Sequence, residues 1–122
     1  MISENNPRRP LQDPEEKAAA AAAKRARQIA AETASCYILY KCGVTFAELC
    51  SESRDHESHS ARLLFVAALT EAGWSLQGLC NLLQKPDKYI NALIFNFRNK
   101  ASEGEKYVIK EILTNIENAL NY

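Results

Sequence analysis

The segment QKPDKYINALIFNFRNK holds a set of side chains suited to reading a nucleic acid. An asparagine carboxamide carries a donor and an acceptor in one plane and can pair bidentately with adenine. A lysine reaches guanine or a phosphate, and a tyrosine touches phosphate or stacks. Lys88, Tyr89, Asn91, Asn96 and Lys100 supply these groups, with Gln84 and Lys85 just ahead of them. From Lys85 to Lys100 there are four basic residues against one acid, Asp87, a local charge of +3 in a chain whose 15 Lys and Arg balance 15 Asp and Glu. Such a local excess is what counterion release from a phosphate backbone requires. The bland alternative is the solvated outer face of a core helix.

These residues need a frame. Ile90, Leu93, Ile94 and Phe97 recur at helical spacing, and Leu76, Leu79, Cys80 and Leu83 repeat the pattern upstream. Ser75 is placed to cap the first helix. Gln84-Lys85-Pro86 forms the turn and Asp87 is expected to cap the second helix, because proline fits before a cap and not inside a helix. Two short apolar ladders joined this tightly predict a helix-turn-helix. Phe95, between ladder and polar face, is expected to pack on the terminal helix.

The rest of the chain is also helical in pattern. Asp13-Pro14-Glu15-Glu16 is a helix start, and the alanine-rich run after it predicts one helix from about residue 14 to Cys42, stopped by Gly43. Its front half should project and its apolar end, Cys36 to Tyr40, should join the core. Thr45-Phe46-Ala47-Glu48 opens a short helix. SRDHESHS then reads as a charged loop, a largely apolar helix runs from about Ser60 to Gly73, and a last helix carries Val108, Ile109, Ile112, Leu113, Ile116 and Leu120. No segment alternates with period two. The expectation is an all-α fold: a flexible tail over 1–12, whose Arg8 and Arg9 could touch phosphate, a long N-terminal helix over 13–43, and a small helix-turn-helix domain over 44–122 with an added C-terminal helix.

Other chemistry finds little support. Cys36, Cys42, Cys50 and Cys80 include no CxxC pair and no signal-peptide pattern precedes them, so reduced thiols in a cytoplasmic protein are expected. Cys42, Cys50, His56 and His59 match no compact zinc spacing, and no metal or other cofactor is expected. No glycine-rich phosphate loop or activated nucleophile is visible, which speaks against an enzyme. The longest apolar run, Leu63 to Leu69, is too short to cross a bilayer.

One resemblance adds to this reading. The order Phe46, Glu48 and Leu49, then Ser51-Glu52-Ser53-Arg54, Ala61-Arg62, Leu69-Thr70-Glu71, Ser75-Leu76 and two helices about a tight turn resembles the C-terminal DNA-binding domain of the bacterial replication initiator DnaA, of the Trp-repressor-like group. It covers Val44 to Phe97. The resemblance implies that Arg54, in the loop after the short helix, reaches a minor groove, and that residues around the second helix start, Lys85, Asp87, Lys88 and Tyr89, face the major groove. It further implies an accessory or regulatory DNA-binding protein of bacterial or phage origin, with double-stranded DNA as partner. The rival expectation is a non-enzymatic adaptor that keeps the fold without DNA contacts. Neutral overall charge and the acidic Asp55-His56-Glu57 favour it, and self-association through the N-terminal helix, which carries Lys17, Lys24, Arg25 and Arg27, is a further option.

Overall fold

Asp13, Thr45, Asp55, Ser75 and Ser102 each start a helix by the same device. The side-chain oxygen accepts a hydrogen bond from the backbone N–H three residues on, at 2.7 to 3.1 Å, satisfying a donor the helix itself leaves unpaired. At Thr45 and Ser102 a glutamate returns the bond to the cap's own N–H and completes a capping box.

The computed structural model describes residues 13–121. In this range the chain forms six helices and no strand: α1 Pro14–Cys42, α2 Phe46–Cys50, α3 His56–Glu71, α4 Leu76–Leu83, α5 Asp87–Lys100 and α6 Glu103–Leu120. The all-helical architecture and the long first helix agree with the sequence reading. α1 ends at Gly43, whose φ of 72° is the left-handed value that lets its N–H return to Leu39. The tail with Arg8 and Arg9 lies outside the described residues.

Two boundaries differ from expectation. α3 begins at His56 rather than near Ser60, because Asp55 caps it and Ser58 is buried on its inner side while His56, Glu57 and His59 stay outside. The polar letters of this stretch are the outer side of a helix turn. At α5 the cap position is Pro86, which makes no side-chain cap bond. Asp87 is already helical, and its carboxylate accepts the Cys80 thiol at 3.1 Å instead.

α3 lies at the centre. Nine of its 16 residues are buried, a share that only a helix covered on most sides can reach. It packs against every other helix. Phe65, Val66 and Leu69 from α3 meet Leu49 of α2, Leu79 and Leu83 of α4, Ile90 and Leu93 of α5, and Ile109, Ile112 and Ile116 of α6 in one apolar core. Fully burying each Leu or Ile contributes about 2 kcal/mol.

α1 joins this core only with its rear half, through Ala30, Ala34 and Ile38, one residue per turn, against α3 and α6. The Tyr37 hydroxyl donates to the Glu111 carboxylate of α6, and the Trp74 indole N–H donates to the Arg27 carbonyl at 3.1 Å. Ahead of that, residues 14–25 are exposed on all sides. The apolar end of α1 is less buried than its composition implies. Ile38 is fully enclosed and Tyr37 partly so, but Cys36, Leu39 and Tyr40 lie off the one-per-turn stripe and face outward. Leu120 of α6 is likewise exposed. No helix among the described residues is long and apolar enough to cross a membrane.

Candidate nucleic-acid interface

A five-residue helix such as α2 leaves most of its carbonyls without intrahelical donors. Arg62, only 3% exposed on the inner side of α3, supplies them. Its Nε donates to the Leu49 carbonyl at 2.8 Å, and its Nη2 donates to the carbonyls of Glu48 at 3.1 Å and Ser51 at 2.9 Å. Its Nη1 reaches the Tyr89 hydroxyl at 3.4 Å. A buried guanidinium is tolerable because its charge is spread over these acceptors.

The Lys85 ammonium donates to the same Ser51 carbonyl from the other side and stands 5.8 Å from the centre of the Tyr89 ring, within cation–π range. Ser51 is therefore a junction. The loop after α2 is tied through it to the α4–α5 turn and, through Arg62 and Tyr89, to the first turn of α5. The turn itself closes because Gln84 adopts the left-handed conformation, φ 57° and ψ 48°, and the Lys85 N–H returns to the Cys80 carbonyl at 3.1 Å.

Between loop and turn lies an open cavity of about 440 Å³, lined among others by Arg54, His59, Arg62, Gln84, Lys85 and Tyr89. Three of these carry fixed positive charge, and Glu52 is the one acid in its wall. Asp55 sits just beyond it. Hydrogen bonds from the Ser58 backbone and side chain hold its carboxyl below the usual carboxylate range, so the cap of α3 stays anionic at neutral pH. The cavity wall is thus predominantly cationic.

The outward face of α5 continues from this point. Lys88, Asn91, Ala92, Phe95 and Asn99 recur at three- and four-residue steps opposite Ile90 and Leu93, and all five are exposed. The Asn99 amide donates to the Phe95 carbonyl at 2.8 Å, whereas Asn91 has no hydrogen-bond partner among the described residues. Tyr89, Asn96 and Lys100 follow one flank of the helix; the first two are half-buried and Lys100 is exposed in the last turn. Lys88 and Lys100 are about 18 Å apart along the axis, so they address different points of any partner.

Arg54, Gln84, Lys85 and Tyr89 are thus gathered around one cavity. Lys88 and Asn91 flank it on the open face, and Asn96 and Lys100 lie farther along. Phe95 departs from expectation: it is 62% exposed. The reason is the course of α6, which packs against α1 and α3 rather than over α5.

Arg62 belongs to the site although its residue pattern does not mark it, and its signal is a lone arginine opening an otherwise apolar helix. His59, in a stretch whose charge pattern predicts a loop, stands in the first turn of α3. Burial pushes the thiols of Cys42, Cys50 and Cys80 up, that of Cys80 also through the Asp87 carboxylate, which keeps them protonated and unreactive at neutral pH. All four cysteines are free, and no three His, Cys, Asp or Glu side chains among the described residues gather closely enough to hold a metal ion. The chain matches no protein-family model, no curated protein and no solved structure.

Proposed function

We propose that the chain is a non-enzymatic protein that binds duplex DNA. In this reading α4, the turn and α5 act as a helix-turn-helix similar to that of the C-terminal domain of DnaA. α5 enters the major groove with Lys88 and Asn91 leading, and Arg54 and Lys85 meet the backbone on the side of the α2–α3 loop. The observation that carries it is the convergence of Arg54, Gln84, Lys85 and Tyr89 beside an α5 face that bears Lys88 and Asn91 and no acid other than Asp87. Phosphate contacts position such a helix, and the carboxamide of Asn91, uncommitted within the protein, has the donor and acceptor that base readout needs.

Fluorescence anisotropy with random-sequence duplex DNA at about 50 and 200 mM salt tests it, since a protein making several phosphate contacts loses orders of magnitude in affinity over that range. Steeply salt-dependent binding is expected. An adaptor role is the second reading, favoured by Leu39 and Tyr40, 50% and 83% exposed on the rear of α1. No binding at low salt, together with salt-insensitive capture of a protein partner, would select it.

A further inference from the structure

Phe95 is a large apolar side chain, 62% exposed, at the centre of the charged-and-polar outer face of α5. Lys88 lies two turns before it on the same face and Asn91 one turn before it. Ala92 sits beside Asn91, and Arg98 and Lys100 follow toward the helix end. A phenylalanine on a helix face whose charged residues, Lys88 and Arg98, are both cationic, with an uncommitted amide one turn away, is poorly placed for an apolar protein partner, because those charges would have to be desolvated without counter-charges. It is well placed for a polyanion that displays methyl groups between its charges.

Resting on the DNA-binding reading above, we propose that Asn91, Ala92 and Phe95 form an A·T-selective reading surface in which Phe95 and Ala92 cover thymine 5-methyl groups. The chemistry follows from the major-groove edge of the base pairs. Adenine presents a donor and an acceptor that one carboxamide engages together, while thymine presents the only methyl group of the four bases, which alanine and phenylalanine cover. A G·C pair offers the carboxamide a different pattern and the ring no methyl. Asn91 and Phe95 are about 6 Å apart along the helix axis, close to two base-pair steps, so each addresses its own pair. Ala92 adds apolar surface without bulk and lets the helix sit low in the groove.

The test uses the full chain and three short duplexes: alternating dA-dT, the same with deoxyuridine in place of thymidine, and alternating dG-dC, at about 50 mM salt. Uracil differs from thymine only in lacking the methyl group. The native protein is expected to bind the thymine duplex about fourfold more tightly than the uracil duplex for each methyl covered, and the dG-dC duplex more weakly than either. Phe95→Ala should cut the thymine-over-uracil preference about fourfold, leaving the share of Ala92, while keeping the slope of affinity against salt, and Phe95→Leu should retain more of it. Because Phe95 is exposed, both variants should unfold at the native temperature. Equal binding of thymine and uracil duplexes by the native protein, or a preference undiminished by Phe95→Ala, would overturn the assignment while leaving DNA binding intact. Absence of binding to all three duplexes would overturn the DNA-binding reading with it.

Discussion

The ammonium of Lys85 is hydrogen-bonded to the carbonyl of Ser51, 34 residues earlier in the chain. A basic residue that composition alone assigns to a partner is thus also an internal strut, holding the loop that carries Arg54 against the turn that starts α5. Lys85→Ala should lower stability by about 1 kcal/mol, the worth of one such hydrogen bond, and weaken DNA binding as well. Paired urea melts and anisotropy titrations separate the two effects. Full stability with weakened binding would mean that Lys85 serves only the partner.

Lys88→Ala should behave differently. Lys88 is exposed and makes no internal bond among the described residues, so stability should be unchanged while the slope of log affinity against log salt falls by about 0.9, one phosphate's share. Asn91→Ala should leave that slope alone and flatten the preference among sequences recovered from a randomised duplex pool.

Arg62 is, with Ser58, one of the two buried polar residues of the core among the described residues. Arg62→Met would remove a donor from the carbonyls of Glu48, Leu49 and Ser51 at once, leaving that of Ser51 to Lys85, that of Glu48 to Ser51 and that of Leu49 unpaired among the described residues, and a loss of about 3 kcal/mol is expected, read as a lower urea midpoint with unchanged slope. Arg62→Lys should recover only part of it, since one ammonium cannot span three acceptors set by a planar fork.

Most of the helices were legible from the chain itself because caps and apolar periods are local. Asp13, Thr45, Ser75 and Ser102 announce their helices within four residues, and Gly43 ends α1 where the alanine-rich pattern stops. What escaped depends on distant neighbours. His56 to Ser60 reads as loop until the inward turn of Ser58 is known. Arg62 acquires its role from carbonyls 11 to 14 residues away. The exposure of Phe95 depends on which way α6 turns after Ser102, and no periodicity within α5 contains that information.

Asp55 makes α3 acid-sensitive. Its carboxyl titrates below the ordinary carboxylate range because Ser58 donates to the charged form, so its stabilising effect is present above the unfolded value and lost as pH falls through the folded one. Asp55→Asn keeps a capping oxygen but not the titration. The gap in urea midpoint between native protein and Asp55→Asn should therefore narrow on going from about pH 7 to below pH 4.

Tyr37 supplies the opposite limb. Burial, reinforced by the hydrogen bond to Glu111, pushes its phenol up to about 12. The stability this tyrosine contributes between α1 and α6 is fully present below about pH 10, the unfolded value, and is lost as pH rises from there through about 12. Native protein should lose stability across that window more steeply than Tyr37→Phe, as followed by helical circular dichroism.

Because α6 turns back onto α1 and α3, α5 divides its labour cleanly between two sets of residues. Ile90 and Leu93 anchor it, with Tyr89, Ile94 and Phe97 packed beside them, while positions 88, 91, 92 and 95 are exposed. The outer face is in effect a removable label on a permanent mount: exchanging those four side chains together should retarget the protein without a new scaffold, and a library randomised there should be almost entirely folded.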